Sequence, residues 1–243
     1  MKKFIGFMVM VSVVVSLCCL WAVQAEAAPI PGLYDTGVNS SNALLSAGAT
    51  DPHYMLTQSV DPSFPGPNAI VVGPATAGNP TAGYPFTPNG PWMDNASNSQ
   101  WIAPQEYVYT GVPTGNGMSA GAYTYTTTFN LAGLNPATAV ITGEWAADDE
   151  GLNILINGNS TGLTYNAEAY GSFQSFTISS GFVSGVNTLA FEVGNIALGP
   201  TGLQVDNLSG TASPVREPVS LLLFGAGLVG MAVIGRRNER RAT

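Results

Sequence analysis

The sequence has no lysine and no arginine between Ala28 and Pro214. All seven basic residues lie outside that span, whereas twelve of the fifteen acidic residues lie inside it. A body with this charge repels nucleic acid and anionic lipid, so we expect neither as a partner. It also offers no internal ion pair with Lys or Arg. Bound cations with oxygen ligands, of which Ca²⁺ is the best suited, would relieve the self-repulsion.

Cysteine and histidine are nearly absent. Cys18 and Cys19 both lie in the N-terminal apolar segment, so a mature chain would carry no thiol, no disulfide and no cysteine metal ligand. The run 117–121 has the letters of a hydrolase nucleophile elbow. That chemistry needs a following helix and a later histidine, whereas a strand is predicted next and the sole histidine, His53, comes earlier. We interpret the run as a loop.

Long apolar runs occur only at the two ends. Residues 1–27 begin with Lys2 and Lys3, continue as an apolar stretch and end in small residues, which is typical of a secretory signal peptide. An uncleaved signal anchor is the alternative. Residues 219–235 carry no charge, and a helix of this length covers roughly 26 Å. The four arginines in 236–243 predict a cytoplasmic C-terminus after a transmembrane helix.

The linker 212–218 contains a short polar motif, Val215, Arg216, Glu217 and Pro218. Followed by an apolar helix and an Arg-rich end, it resembles the PEP-CTERM sorting signal, also described as an ice-binding-protein C-terminal signature. The resemblance implies export and cutting near the motif by exosortase, an integral-membrane transpeptidase. Glu217 and Pro218 match the signal, and Arg216 stands where its first proline is usual. An ordinary tail anchor is the alternative.

Residues 28–120 are rich in proline and glycine, and 13 of the 17 prolines precede Gly121. Helix and long regular strands are both disfavoured there. Short apolar pieces such as 69–72 predict short strands joined by long surface loops.

Residues 121–211 carry a clearer strand signal. Tyr123, Tyr125, Thr127 and Phe129 alternate along the chain, as in a half-buried strand. Further strands are predicted around 139–146, 152–156, 176–178, 189–193 and 203–205, with Asn157-Gly158 as a tight hairpin turn. The prediction is an all-β fold, an antiparallel jelly-roll-like β-sandwich, flanked by the signal helix and the transmembrane helix.

The order of these motifs over residues 92–211 resembles the galactose-binding-like jelly roll of carbohydrate-binding modules. The motifs are the Tyr-rich strand, Trp-Ala-Ala-Asp-Asp, Ile-Asn-Gly, Gly-Val-Asn-Thr-Leu and a late Thr-Gly-Leu. The resemblance implies sugar binding by loops at one end of the sandwich and a structural calcium. It assigns neither site to particular residues.

Two groups of residues are candidate sites. Asp148, Asp149 and Glu150, helped by Asn153 or Asn157, form a candidate calcium site; the alternative is a solvated turn whose carboxylates bind local amides. The second group, a candidate glycan contact, combines aromatic rings with polar neighbours: Trp92, Asp94, Asn95 and Trp101. Trp145 falls inside a strand and is expected in the core.

We expect an exported, non-enzymatic protein of the cell envelope, the cell surface or an extracellular matrix, which contacts polysaccharide with or without Ca²⁺. One alternative is a tail-anchored structural protein without a specific ligand. The other is a glycan-acting hydrolase, for which Glu144 and Asp148 are the paired carboxylates to consider.

Overall fold

The computed structural model describes residues 26–74, 83–108, 117–166 and 168–215. The chain divides into two units, and Ala27–Ser213 is the one presented below. The other consists of Met1–Glu26 and Pro214–Thr243, nearly all of which lie outside the described residues. The predicted signal helix, sorting motif beyond Val215, transmembrane helix and basic tail therefore lie outside them as well. Among the described residues, no helix has the length and apolar character needed to cross a bilayer.

The described unit consists of β-strands and one short 3₁₀ turn, Pro136–Thr138. All the strand pairs are antiparallel, which confirms the predicted all-β class. The strands are β1 (Ala28–Pro29), β2 (Thr50–Ser59), β3 (Asn68–Val71), β4 (Ile102–Ala103), β5 (Gly121–Asn130), β6 (Val140–Asp148), β7 (Glu150–Ile156), β8 (Asn159–Ser160), β9 (Gln174–Ile178), β10 (Val186–Asn195) and β11 (Gly202–Ala212).

The strands form one sheet in the order β8-β7-β10-β5-β2-β3-β4-β11-β6-β9, and β1 pairs with β11. The proline-rich part of the chain contributes β2, β3 and β4, which lie between β5 and β11 in the middle of this order. β2 is 10 residues long, so the expectation of only short strands before Gly121 was wrong. Its one proline, Pro52, lies outside the paired positions, which begin again at Met55.

The sheet is curled, because side chains from strands far apart in its order meet in the core. The ring of Trp145 on β6 lies 5.7 Å from that of Phe191 on β10. Phe176 on β9 lies edge-on to the same Phe191 at 5.8 Å. The two halves of the sheet therefore face each other across one aromatic-rich core, in which such ring pairs stabilise the fold beyond the area they bury.

The predicted alternation is realised in the strands that line this core. Tyr123, Tyr125 and Phe129 of β5 are buried. The turn between β7 and β8 has φ of 51° at Asn157 and 77° at Gly158, the positive values that a two-residue hairpin of type I′ requires. The hairpin was therefore predictable from two adjacent residues.

Candidate functional site

The two tryptophans of the candidate glycan contact are core residues. Trp92 and Trp101 are both 0% exposed, and their ring centroids lie 4.3 Å apart. The indole N–H of Trp101 donates to the carbonyl of Met93 at 3.1 Å. Neither ring face is open to solvent, so the interpretation of these rings as a sugar-stacking surface was wrong. The prolines and polar residues around them suggested an exposed loop, whereas the loop folds its rings inward.

Their polar neighbours hold this loop in place. The Asp94 Oδ1 accepts a hydrogen bond from the Thr87 hydroxyl at 3.0 Å. The Asn95 Oδ1 accepts one from the backbone N–H of Trp101 at 2.9 Å. These bonds give Asp94 and Asn95 a positioning role in the loop. Trp145, as expected, is buried.

The acidic turn is more buried than a solvated turn would be. Asp148 is 3% exposed, and its Oδ2 accepts a hydrogen bond from the indole N–H of Trp92 at 2.8 Å. Burial, and after it the adjacent charge of Asp149, raise the pKa of Asp148 to about 8. The Asp149 Oδ2 accepts from the backbone N–H of Ile196 at 2.7 Å. Both carboxylates therefore accept hydrogen bonds from other groups of the protein.

The remaining two members of the candidate calcium site do not join them. Glu150 begins β7 and pairs in register with Gly194. Asn153 donates to the Ser160 hydroxyl at 2.8 Å, across the β7–β8 hairpin. Within the described ranges, no three His, Cys, Asp or Glu side chains are placed to hold one ion. Calcium at this turn stays a prediction.

A cleft lies between the two edges of the curled sheet. Its volume is about 240 Å³. β8 and β9, which contribute to its walls, are the first and last strands in the sheet order. The lining residues come from the β7–β8 hairpin, the segment after it and the end of β9: Ile156, Asn159, Ser160, Thr161, Leu163, Thr177, Ile178, Ser179, Ser180 and Gly181.

The cleft has no charged residue and is lined by two kinds of surface. Ile156 and Ile178 are buried and supply apolar contact area. The rest is mainly hydroxyl and amide groups, of which Asn159 and Thr177 are exposed. Such a surface can exchange hydrogen bonds with a neutral polar ligand and contact its C–H groups, but it has no acid, base or nucleophile pair for catalysis.

An amide network centred on Asn157 holds the β7–β8 hairpin beside the cleft. The Asn157 Nδ2 donates to the Gly181 carbonyl at 3.0 Å and to the Asn187 Oδ1 at 2.8 Å. The backbone N–H of Thr188 donates to the Asn157 Oδ1 at 3.0 Å. The hairpin is therefore tied both to β10 and to the loop that follows β9. Sequence reasoning identified Asn157 as a turn residue and missed this second role, because its partners are 24 to 31 positions away.

No known protein family matches the sequence, and no curated protein matches it. Among solved structures, a family 35 carbohydrate-binding module from an environmental isolate is similar over 40% of this chain and 74% of its own. The two share 12% identical residues, with a TM-score of 0.27. A likeness this slight carries no weight for function, which has to be inferred from the residues of this chain.

Proposed function

We propose that this protein is a non-enzymatic surface or extracellular-matrix component that binds neutral polysaccharide in the cleft between the two sheet edges. One observation carries the proposal. The cleft combines hydroxyl and amide groups with apolar contact area and has no charged side chain. A neutral sugar presents the same mixture, with hydroxyl groups around C–H faces.

The charge of the whole body favours an uncharged ligand over an anionic one. No lysine or arginine lies among the described residues, so a sulfated or carboxylated polymer would meet net repulsion and no cationic partner. The cleft lies between the first and last strands of the sheet order, and most of its hydroxyl and amide residues are exposed. A polysaccharide therefore fits it better than a small charged metabolite.

The location of this binding module is proposed from the two ends of the sequence. The signal-like residues 1–27 support export through the inner membrane. The motif 215–218, the apolar run 219–235 and the basic tail support sorting by an exosortase-type transpeptidase at the envelope, with the C-terminus cytoplasmic before processing. We also interpret the curled sheet as a jelly-roll-like β-sandwich.

Polysaccharide binding can be tested with the purified full-length chain by affinity electrophoresis in gels containing neutral glucans and galactomannans. We expect retardation in at least one of these gels and none in alginate. Thr177→Val removes a cleft hydroxyl with little change of shape. Each lost hydrogen bond of about 1 kcal/mol weakens binding roughly five-fold, so Thr177→Val combined with Asn159→Ala should weaken it at least ten-fold.

Thr142→Val is the matched control, because Thr142 pairs directly with Thr177 across β6 and β9 but does not line the cleft. It should leave the retardation unchanged. Equal binding by the Thr177 and Asn159 double variant would contradict binding in the cleft, and retardation by no neutral polymer would favour the tail-anchored structural protein instead.

Export and sorting have a separate test, the mass of the protein recovered from cells and from the medium. A C-terminus near Glu217 supports processing, and Glu217→Ala with Pro218→Ala should then accumulate the full-length form. An intact Arg241 in all fractions would instead indicate a plain anchor.

A further inference from the structure

The loop between β9 and β10 presents two valines to solvent. Val186 is 66% exposed and Val183 is 49% exposed. Between them lie Ser184, which is also exposed, and Gly185, whose φ of 81° turns the chain into β10. We call residues 183–186 the valine tip. It leaves apolar surface in water, where the hydrophobic effect favours removing that surface from the solvent.

A buried side chain holds the valine tip in this exposed position. The Oδ1 of Asn187, which is fully buried, accepts a hydrogen bond from the backbone N–H of Val183 at 2.8 Å. The Asn187 amide donates to the carbonyls of Val183 and Gly185 at 2.8 and 2.9 Å. The backbone N–H of Leu131 also donates to the Gly185 carbonyl, at 2.8 Å. The fold itself therefore determines that the two valines point away from the core.

The valine tip lies at the end of the sheet where β11 finishes. Val186 pairs with Asn130, the last residue of β5, and the turn after β5 leads to Asn135. The backbone N–H of Asn135 donates to the Ser213 carbonyl at 2.8 Å. The backbone N–H of Ser213 donates to the Thr138 Oγ1 at 2.9 Å. The segments 131–139, 183–187 and 211–213 therefore belong to one end of the sheet, which we call the exit end.

The two ends of the sheet differ in charge. The three segments of the exit end contain no Asp, Glu, Lys or Arg. At the opposite end, where β5 begins and β10 finishes, the Asp61 Oδ2 accepts from the backbone N–H of Ser119 at 2.8 Å. There the backbone N–H of Ala169 also donates to the Asp149 carbonyl at 3.1 Å. This acidic end carries the carboxylates of Asp61, Asp148, Asp149, Glu150 and Glu168.

This difference determines which end can approach a lipid bilayer. Moving a carboxylate out of water is costly, and an acidic surface is repelled by anionic lipid. The exit end can enter the interface without desolvating a charge. It is also the end from which the chain continues towards the apolar run 219–235, with only residues 214–218 between Ser213 and that run. Five residues span at most ~18 Å when fully extended.

We propose that Val183 and Val186 of the valine tip insert into the interface of the bilayer that the C-terminal apolar run enters. The proposal rests on the envelope anchoring proposed above and adds a second point of contact to it. Two valines alone bury too little area to hold a protein on a membrane, but an anchor raises their effective concentration at the surface. The tip then orients the protein with its acidic end away from the lipid. Neither valine lines the cleft, so sugar binding uses other residues.

The test uses the full-length chain with Cys18→Ala and Cys19→Ala, reconstituted in phosphatidylcholine vesicles. Ser184→Cys carries an environment-sensitive fluorophore at the tip. Leu198→Cys is the matched control, because Leu198 is 61% exposed and lies at the acidic end, next to the pairing of Gly199 with Met118. An inserted tip lies roughly 5–10 Å below the surface, so iodide should quench the label at position 184 at least about two-fold less than the label at position 198. Spin-labelled lipid should quench only the label at position 184.

Val183→Ser with Val186→Ser changes only exposed side chains and should make both labels equally accessible to iodide. Equal accessibility with the valines present, protection of the label at position 198 alone, or protection at position 184 that survives the serine substitutions overturns the proposal. Flotation of the vesicles separates this failure from a failure of the anchoring. Protein that floats with an accessible tip contradicts the tip contact alone, whereas protein that does not float contradicts the anchoring and the tip contact together.

Discussion

Asp148 shows how a single residue behaves in a body without internal cations. Its carboxylate is buried against the indole of Trp92 and is adjacent to Asp149, so the protonated form is favoured in the folded state. Its carbonyl also accepts from the Thr201 hydroxyl at 2.8 Å. A position that looks like a metal ligand in the sequence is therefore a hydrogen-bonded core position in the structure.

This arrangement predicts a pH dependence of stability. The pKa of Asp148 is about 8 in the folded state and about 3.9 in the unfolded state. The folded form therefore binds the Asp148 proton more tightly than the unfolded form does. The contribution of this group to stability is fully present below about pH 4 and is lost as the pH rises to about 8. Asp148→Asn keeps an acceptor for Trp92 without the charge. Between pH 5 and pH 8, the free energy of unfolding of the variant, measured in urea, should increase by about 2–4 kcal/mol relative to that of the unaltered protein.

Asp94→Asn is the control, because it removes a charge that is exposed in the folded state. Asp35 and Asp51 also have raised pKa values, so both proteins retain part of the slope. A difference between Asp148→Asn and the unaltered protein that does not change with pH would contradict the prediction.

At the scale of elements, the close approach of β6 to β7 depends on a glycine, which has no side chain to separate them. Gly151 lies in β7, and a Cβ there would overlap the indole ring of Trp145 on β6. The space that glycine leaves is filled by this ring, which in turn packs against Phe191 of β10. The curl of the sheet therefore requires glycine at this position for packing.

Gly151→Ala should destabilise the fold by about 1–3 kcal/mol or more, since overpacking a rigid core displaces side chains from their rotamers. The free energy of unfolding in urea measures the loss. Gly171→Ala is the control, because its added Cβ would come no closer than 3.8 Å to another heavy atom. Equal stability of the two variants would mean that Trp145 can move aside.

At the scale of the whole molecule, the sheet cannot be divided at Gly121. β5 and β11 belong to the regular C-terminal part, but β2, β3 and β4 lie between them in the sheet order. The buried face of β2 contributes Tyr54 and Leu56 to the shared core. The proline-rich part of the chain therefore completes the core of the module.

A fragment that comprises residues 121–215 should consequently fail to fold cooperatively. It would expose edges of β5 and β11 that are paired in the whole protein, together with the core that β2 covers. Near-UV circular dichroism and thermal unfolding of the fragment, compared with the full-length chain, measure this. A cooperative transition in the fragment would show that the C-terminal strands form an independent domain.

The sequence by itself determined the strand alternation, the Asn157-Gly158 turn, the acidic and cation-free character of the body, and the burial of Trp145. These features depend on local periodicity, backbone conformation and composition, which are readable along the chain. Only the tertiary structure decided that Trp92 and Trp101 are buried, that β2 lies beside β5, and that the edges at β8 and β9 enclose a cleft. Those outcomes depend on pairings between residues many positions apart. The alternation along a strand determines which of its side chains share a face, but it does not determine which other strand that face packs against.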